Sequence, residues 1–331
     1  MPFAPQPLTL MDTAMSLPLA IALRLCALAL LAASTNAAAQ AIAYVPNERS
    51  GTISLIDTRT DEVVGEIAGV NRPRGLAASS DGKHLYVTSQ PRSLVVIDLA
   101  ARRVATTVAV GDSPEGASAS PDGRTIAVAV EDTQSVALID TATNAVASEI
   151  KVQGKNPEHA VFSPDGKWLY VSSEDGETVD VIDVASRRQV GAITVGRRPR
   201  GIAFTPDSRV AYVACEIAST VYAIDVARRS VIATIKAGEF TNGVAMRPDG
   251  KRVYISNGRS GSVSAIDTAS NQVVATVPVG QRPWNMAVTP DGSKLYVANG
   301  RSNSVSVIDT ATNGKLKDIN VGELPWGVVV R

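Results

Sequence analysis

The chain has 331 residues, and its 32 Lys and Arg balance 32 Asp and Glu, so the formal net charge is zero. A balanced charge provides no bulk attraction to nucleic acid or to an anionic membrane. His84 and His159 are the two histidines of the sequence, which excludes a three-histidine metal site. The sequence also lacks a phosphate-binding loop, a C-x-x-C-H haem attachment motif and an H-E-x-x-H metalloprotease motif.

Residues 1–39 predict an export signal peptide. Leu17 to Ala33 is a long apolar run, and the small residues Ala37 to Ala39 follow it as an A-x-A cleavage site. Arg24 lies inside the apolar run, which argues against a permanent membrane span. We therefore expect a periplasmic or secreted protein whose mature domain is residues 40–331, with a retained anchor as the alternative.

A repeat of about 42 residues begins at Ile42 and continues to the end of the chain. In its clearest copy, Pro283 to Gly322, four short β-branched runs are separated by three turn-forming clusters, among them Pro290-Asp291-Gly292. Short runs of alternating polarity predict antiparallel strands rather than helices. The aspartate that closes the third run recurs every 41 to 43 residues, at Asp57, Asp98, Asp140, Asp183, Asp225, Asp267 and Asp309.

Seven aspartates predict seven four-stranded units. Sheets arranged in a ring bury both faces against their neighbours, so the sequence predicts an all-β, seven-bladed β-propeller with four antiparallel strands per blade. The first unit starts at its second strand, and the chain ends on a first strand without followers, Pro325 to Val330. We therefore expect this C-terminal strand to complete the N-terminal blade and to remove an exposed sheet edge.

Residues that recur in nearly every unit are expected to be structural. The aspartates favour turns, and the tyrosines at positions 44, 86, 170, 212, 254 and 296 are expected to pack between blades, with Ala127 as the exception. Cys215, the single cysteine of the mature domain, cannot form an internal disulfide. We interpret it as a small, partly buried residue rather than a reactive thiol.

Functional residues are expected where the repetition fails. At the start of the innermost strands, equivalent positions carry Arg74, Glu115, Glu158, Arg200, Asn242, Trp284 and Trp326. The loops just before them carry Arg72, Ser113, Asn156, Arg198, Phe240, Arg282 and Leu324. Arginine binds carboxylate or phosphate bidentately, and tryptophan offers a flat apolar or cation-binding face.

This pattern predicts a ligand- or partner-binding channel mouth without catalytic residues or a metal. Its predicted members are Arg72, Arg74, Glu115, Glu158, His159, Arg198, Arg200, Asn242, Arg282, Trp284 and Trp326. The Arg and Trp side is expected opposite an acidic side formed by Glu115, Glu158 and the adjoining Glu131, Asp132, Glu174, Asp175 and Glu216. The alternative is a mixed, solvated surface with internal Arg–Glu pairs that contribute little. For His159, a structural role is favoured over haem or metal ligation.

The repeat resembles the YVTN β-propeller repeat. The resemblance rests on LYVTS (Leu85 to Ser89), LYVSS (Leu169 to Ser173), VYISN (Val253 to Asn257) and LYVAN (Leu295 to Asn299), each followed by a V-x-x-I-D strand. A narrower resemblance lies in GQRPWNMAVTPDG (Gly280 to Gly292) and VGELPWGVVVR (Val321 to Arg331). These stretches are similar to exported seven-repeat propellers associated with pyrroloquinoline-quinone-dependent alcohol catabolism, which have no established catalytic residues.

Three functions are therefore open. The main expectation is a monomeric, non-enzymatic binding or scaffold protein without a cofactor, whose partner is a periplasmic quinoprotein dehydrogenase, its electron acceptor or a small anionic ligand. The enzyme alternative is a metal-dependent, lactonase-like hydrolase, since the acidic loops offer hard oxygen donors to a divalent cation. Single-stranded nucleic-acid binding is a weaker third alternative, because the ring has only two tryptophans for base stacking.

Overall fold

A computed structural model describes residues 1, 3, 4 and 41–331 of the chain. Residues 41–331 form seven four-stranded antiparallel sheets, which confirms the predicted all-β, seven-bladed propeller. The predicted signal peptide lies, apart from residues 1, 3 and 4, outside the described residues. Among the described residues, no helix is long and apolar enough to cross a membrane.

The strands are numbered in chain order and grouped into blades. Blade 1 contains β1 (Ile42–Asn47), β2 (Thr52–Asp57), β3 (Glu62–Ala68) and the C-terminal β28 (Val329–Val330). Blade 2 contains β4 (Pro73–Ala78), β5 (His84–Ser89), β6 (Ser93–Asp98) and β7 (Arg103–Ala109), and blade 3 contains β8 (Pro114–Ala119), β9 (Thr125–Val130), β10 (Ser135–Asp140) and β11 (Ala145–Lys151). Blade 4 contains β12 (Pro157–Phe162), β13 (Trp168–Ser173), β14 (Thr178–Asp183) and β15 (Arg188–Thr194), with a 3₁₀ turn at Glu174–Gly176.

The remaining blades follow the same order. Blade 5 contains β16 (Pro199–Phe204), β17 (Val210–Cys215), β18 (Thr220–Asp225) and β19 (Ser230–Lys236). Blade 6 contains β20 (Thr241–Met246), β21 (Arg252–Asn257), β22 (Ser262–Asp267) and β23 (Gln272–Pro278), and blade 7 contains β24 (Pro283–Val288), β25 (Lys294–Asn299), β26 (Ser304–Asp309) and β27 (Gly314–Asn320).

The C-terminus closes the ring as predicted. Strand β28 pairs with β1, with Val330 opposite Ala43, and an isolated bridge joins Pro325 to Asn47. The regular ladder is shorter than the predicted Pro325 to Val330, because the start of the innermost strand departs from regular pairing here as it does in blades 2 to 7. Val328 and Val330 nevertheless lie in the core between blades 7 and 1.

The repeated aspartates hold the turns on the face opposite the channel mouth. The Asp81 carboxylate accepts hydrogen bonds from Ser79 Oγ (2.6 Å) and from the Lys83 amide (3.0 Å). The second set is equally local, since Asp98 accepts a bond from the Ala101 amide at 2.9 Å. These bonds lower the pKa of both exposed carboxyls, and they confirm a structural role.

The repeated tyrosines fill the seams between blades. Tyr86 and Tyr212 are fully buried, and each hydroxyl reaches the third turn of the next blade, where it donates to Asn144 Oδ1 (3.2 Å) or Asn271 Oδ1 (2.8 Å). Cys215 is fully buried as well, and burial raises the pKa of its thiol to about 12. Both the packing role of the tyrosines and the unreactive character of Cys215 are confirmed.

Closure by the C-terminal strand predicts a specific loss of stability. The double variant Val328→Ala/Val330→Ala removes four carbon atoms from the core, which should cost about 3 kcal/mol at about 0.8 kcal/mol per buried CH₂. The matched variant Val64→Ala/Val274→Ala makes the same change at side chains that are 42% and 49% exposed, and it should be nearly neutral. Denaturant unfolding compares the two, and equal losses would contradict the closure.

Candidate functional site

A cavity of ≈ 250 Å³ opens at the channel mouth, on the face that carries the loops between blades. We call it the mouth cavity. It is lined by Glu48, Arg74, Glu115, Glu131, Glu158, Glu174, Arg198, Arg200, Asn242, Arg282, Trp284, Asn285 and Trp326. Nine of the eleven residues predicted for the site line this cavity, while Arg72 and His159 do not.

Three positions of the repeat supply all of these side chains except Asn285. The first is the second residue of each innermost strand, and the second is the loop residue two positions before it. The third is the residue that follows each second strand: Glu48, Gln90, Glu131, Glu174, Glu216, Gly258 and Gly300. Glycine at position 300 is required by packing, since a Cβ there would lie 2.6 Å from the Trp284 ring.

The loop residues have an unusual backbone conformation. Arg72, Arg198 and Arg282 have φ values of 44°, 62° and 54°, and the four equivalent loop residues also have positive φ. Non-glycine residues adopt this left-handed region only where surrounding structure compensates its cost. The same strained backbone conformation is therefore repeated around the mouth, and it fixes the positions of the Cα and Cβ atoms of the three arginines.

Arg200 is the centre of a buried ion network. Its guanidinium contacts Glu158 (2.6 Å) and Glu216 (3.0 Å), and it also pairs with Glu174. The Arg200 side chain is 15% exposed and that of Glu216 is 2% exposed. Arg282 adds a further bond to Glu216 at 2.5 Å, and Arg198 lies 3.1 Å from Glu174 and 3.3 Å from Glu216.

A second network occupies the blade 1 and blade 2 side of the cavity. Arg74 contacts Glu48 at 3.1 Å and also pairs with Glu115. Arg72 reaches Glu48 from the rim at 2.9 Å, with its own side chain 57% exposed. The Gln90 amide donates to Glu115 at 3.2 Å, so the carboxylate has a neutral donor as well as a cation.

The predicted separation of a basic side from an acidic side is wrong. Arginines and glutamates alternate in space, because adjacent repeat positions place an arginine of one blade against a glutamate of its own or a neighbouring blade. The alternative of internal Arg–Glu pairs is correct, but the pairs made by Arg74, Arg200 and Arg282 are largely buried rather than solvated. A buried pair is costly to break, since the remaining charge then lacks a partner.

The network holds more carboxylates than guanidinium groups. Six glutamates (48, 115, 131, 158, 174 and 216) share the mouth with five arginines (72, 74, 198, 200 and 282). Burial and the neighbouring Glu158 raise the pKa of Glu115 to about 9 and that of Glu174 to about 7. Burial also acts on Glu216, but Arg200 and Arg282 outweigh it and lower its pKa. The site therefore holds a proton at neutral pH, on carboxyls deep in the cavity.

His159 faces a separate cavity of ≈ 130 Å³ further down the channel. Its ring stacks on Trp326, with ring centroids 5.7 Å apart and an angle of 20° between the planes. Burial lowers its pKa, so the imidazole is neutral at physiological pH. The prediction that His159 faces the channel is confirmed, and its contacts are those of a packed side chain.

An arginine-lined groove of ≈ 580 Å³ adjoins the mouth cavity between blades 6 and 7. We call it the arginine groove, and its lining includes Arg259, Arg282, Arg301 and Phe240. No acidic residue lines it, whereas five glutamates line the mouth cavity. The Arg259 guanidinium lies 4.8 Å from the centre of the Phe240 ring. Arg282 lines both spaces and connects them.

The donor set of the mouth does not suit a metal ion. Among the described residues, no group of three or more His, Cys, Asp or Glu side chains is arranged to hold one. The glutamates instead point at guanidinium groups, with which they form ion pairs. The metal requirement of the predicted hydrolase alternative therefore has no support in the described part of the chain.

Sequence reasoning overlooked two lining residues, Glu48 and Asn285. Glu48 could have been found, because it occupies the repeat position of Glu131, Glu174 and Glu216, which had been recognised as acidic neighbours. Asn285 stands where most units have glycine, at a repeat position where the backbone of the next blade leaves those units no room for a side chain.

Three family models match parts of the chain. Residues 186–330 match the family described as lactonase, 7-bladed beta-propeller. Residues 29–121 match a YNCE-like beta-propeller, and residues 126–243 match the cytochrome D1 heme domain. No curated protein matches the chain. The propeller resemblance is thus confirmed at the level of the fold, while the narrower resemblance to propellers of alcohol catabolism stays a prediction.

Solved structures share the fold over most of the chain. A chain of hydrazine synthase from Kuenenia stuttgartiensis has 28% identity and a TM-score of 0.75, covering 81% of this chain and 92% of that one. The periplasmic gluconolactonase of Pseudomonas aeruginosa has 21% identity and a TM-score of 0.76, with 88% and 99% covered. A candidate 6-phosphogluconolactonase of Bacteroides fragilis has 22% identity and a TM-score of 0.76, with 90% and 99% covered.

These comparisons correct the main functional expectation. A non-enzymatic binding or scaffold protein was expected, but the model matched by residues 186–330 is that of an enzyme family, the lactonases. The residues present also decide whether the matched haem-domain segment can hold haem. His159, the histidine inside the channel, faces a space of ≈ 130 Å³ and stacks on Trp326, which leaves no slot for a macrocycle. The residues do not fit haem.

The raised pKa of Glu115 predicts a pH-dependent stability difference. Its ordinary pKa is 4.5 and its folded value is about 9, so the unfolded chain releases this proton first and stability falls between these pH values. Glu115→Gln removes the titration. The variant should match the wild type near pH 5 and become progressively more stable than it towards pH 9.

Thermal melting from pH 5 to pH 9 measures this difference. The control Glu66→Gln makes the same change at an exposed glutamate of β3, and its melting curve should follow the wild type at every pH. A constant offset between Glu115→Gln and wild type would contradict a proton held at Glu115.

Proposed function

We propose that this protein is a lactone hydrolase and that the mouth cavity is its active site. The observation that carries the proposal is the lactonase match of residues 186–330. That segment includes Arg198, Arg200, Arg282, Trp284 and Trp326, which form one half of the cavity. The match thus covers the arginine and tryptophan half of the cavity, while Glu115 and Glu174 lie outside the matched residues.

Lactone hydrolysis needs three contributions from a site. A base must take a proton from the attacking water, a positive group must stabilise the oxyanion that forms on the carbonyl, and an acid must protonate the departing ring oxygen. The product is an open-chain hydroxy acid. A cavity in which buried carboxyls lie among guanidinium groups contains all three types of group.

We assign the base to Glu174. Its pKa of about 7 keeps it partly ionised at neutral pH, where its basicity matches proton removal from water. It lies in the 3₁₀ turn at Glu174–Gly176, which none of the other blades has, so its position is specific to blade 4. Arg198 and Arg200 contact it from two directions and place positive charge where the oxyanion would form.

We assign the acid to Glu115. Its pKa of about 9 keeps it protonated at neutral pH, so it can donate a proton to the ring oxygen as the C–O bond breaks. The balance of burial and nearby charge sets the pKa of each carboxyl. Because this balance differs between Glu115 and Glu174, one is an acid and the other a base at neutral pH. Glu158 lies between their networks, and it raises the pKa of both.

The proposed substrate is a small sugar lactone. The cavity volume of ≈ 250 Å³ suits a single ring, and Trp284 and Trp326 offer flat faces to it. The arginine groove next to it would hold an anionic substituent, since Arg259, Arg282 and Arg301 line it without an acidic residue. A phosphorylated sugar lactone combines both features. Export to the periplasm, predicted from residues 1–39, remains part of this proposal.

The assignment of Glu174 predicts a large loss of rate on a conservative change. Glu174→Gln should lower kcat for glucono-δ-lactone by about 10²-fold or more, because acid–base catalysis contributes about 10²–10⁴. The control Glu177→Gln alters an exposed glutamate just after the same 3₁₀ turn, whose nearest arginine contact is 3.8 Å. A pH-stat assay above the spontaneous rate measures both, and equal rates would exclude Glu174 as the base.

The arginine groove predicts a difference between two substrates. Arg301→Gln should raise KM about tenfold for the 6-phosphorylated lactone, as the loss of one charge-assisted hydrogen bond would, and leave KM for the neutral lactone unchanged. Arg209→Gln, at an arginine that is 84% exposed on the opposite face, is the matched control. Equal effects of both variants on the two substrates would remove the groove from the proposal.

A further inference from the structure

The seam between blades 3 and 4 lacks the tyrosine that fills the equivalent space in the other six seams. Position 127 is alanine, whereas the other units carry Tyr44, Tyr86, Tyr170, Tyr212, Tyr254 and Tyr296. Two residues before it, β9 starts with Thr125, where the next blade starts its equivalent strand β13 with Trp168. Blade 3 thus presents two small side chains where blade 4 presents two aromatic rings.

A cavity of ≈ 370 Å³ lies in this seam, on the face opposite the mouth cavity. We call it the seam pocket. Its lining includes Thr125, Leu138, Phe162, Val184 and Arg187. Leu138 is the direct cross-strand neighbour of Ala127, and Phe162 packs in the same core cluster as Ala127. Ala127 itself is fully buried and does not line the pocket, so the pocket corresponds to the outer part of the space that a tyrosine at position 127 would fill. Its size is within the range of small-molecule sites.

The next seam along the ring shows how this space is filled when the rings are present. Between blades 4 and 5, the Tyr170 ring meets Phe204 edge to face, with centroids 4.9 Å apart. The Arg229 guanidinium covers the Trp168 ring at 4.7 Å from its centre. Phe162 and Arg187 are the residues at the positions of Phe204 and Arg229 in the preceding seam. The seam pocket thus retains the residues that surround the rings, Phe162 and Arg187, and lacks the rings themselves.

The polar groups at the far end of the pocket match a phenol hydroxyl. In the seams of Tyr86, Tyr212 and Tyr254 the tyrosine hydroxyl contacts the third turn of the next blade, at Asn144 Oδ1, at Asn271 Oδ1 or at the Thr310 carbonyl oxygen, whereas the buried Tyr170 hydroxyl has no hydrogen-bond partner. The residues at these positions in blade 4 are Arg187 and Val184, both of which line the pocket. A hydroxyl there could accept a bond from the guanidinium and donate one to the carbonyl oxygen.

Charge at the rim selects against an anionic ligand. Asp122, Asp140 and Asp165 line the pocket beside a single arginine, Arg187. The three aspartate carboxylates accept hydrogen bonds from backbone amides of their own turns, and these bonds favour the negatively charged form. A neutral ring avoids repulsion from them, while a carboxylate of the same size would not.

We propose that the seam pocket binds a small neutral aromatic molecule of the phenol class, whose ring takes the place of the missing tyrosine ring. The ring would lie against Phe162 with its hydroxyl towards Arg187 and the Val184 carbonyl oxygen. This site is independent of the mouth cavity and of the proposed hydrolase activity. Binding stabilises the folded chain, because the ligand has no equivalent site in the unfolded chain.

The test uses p-cresol, which is the tyrosine side chain as a free molecule. Isothermal titration calorimetry of the wild type should show saturable binding at one site per chain. Ala127→Tyr fills the pocket from within, so it should weaken p-cresol binding about tenfold or more and raise the melting temperature of the free protein. Thr125→Trp narrows the same space, and it replaces Ala127→Tyr if that variant does not fold.

Two matched arginine variants test the contact with the hydroxyl, and a saturated analogue tests the contact with the ring. Arg187→Gln should weaken p-cresol binding, whereas Arg229→Gln, the same change one blade further on, should leave it unchanged. 4-Methylcyclohexanol, which has the same size without an aromatic face, should bind more weakly than p-cresol. The proposal is overturned if the wild type shows no saturable binding, or if the wild type and the filled variant bind p-cresol equally.

Discussion

The second and third strands of every blade are buried on both faces, largely by apolar side chains that cannot be left in contact with water. Each blade is therefore packed between two others, and the central strands approach so closely that side chains are excluded at some points. A Cβ at Gly75 would lie 2.3 Å from the carbonyl oxygen of Glu115 in the next blade. The ring must also close, which the C-terminal Val328 and Val330 accomplish by packing between blades 7 and 1. The position of every loop and every seam follows from this packing.

Close packing at the centre also explains the chemistry of the mouth cavity. Seven equivalent positions converge there, so any charge placed on them is brought against its neighbours and away from water. Arg200 contacts three glutamates under these conditions, and Glu115 and Glu174 have raised pKa values because burial outweighs their pairing. The same geometry that makes the charges costly to bury makes them reactive, since a carboxyl with a pKa near 7 can exchange a proton at neutral pH.

Departures from the repeat have different consequences in different places. At the mouth, the units carry Arg, Glu, Asn or Trp at one position and Glu, Gln or Gly at another, so different functional groups enter a shared space, as with Trp284 above Gly300. In the seam between blades 3 and 4, substitution of tyrosine by Ala127 removes a ring and leaves a pocket beside Phe162 and Arg187. Because all seven units have the same backbone, each departure can be compared with a neighbour that lacks it. The units that keep the common residue thus serve as references for the units that do not.

The sequence alone determined the architecture, because strand length, turn chemistry and period are local properties that repeat seven times. It also identified nine residues of the mouth cavity, since a ring converts equal repeat positions into a common location. It offered Arg–Glu pairs only as an alternative and did not reveal that Arg74 and Arg200 are buried against glutamates, because that depends on which neighbouring blade each side chain reaches. Nor did it reveal the seam pocket, although Ala127 was recognised as an exception. Only the tertiary structure decided whether Leu138, Phe162 and their neighbours would close over the missing ring, since that outcome depends on packing between blades and not on the period of the chain.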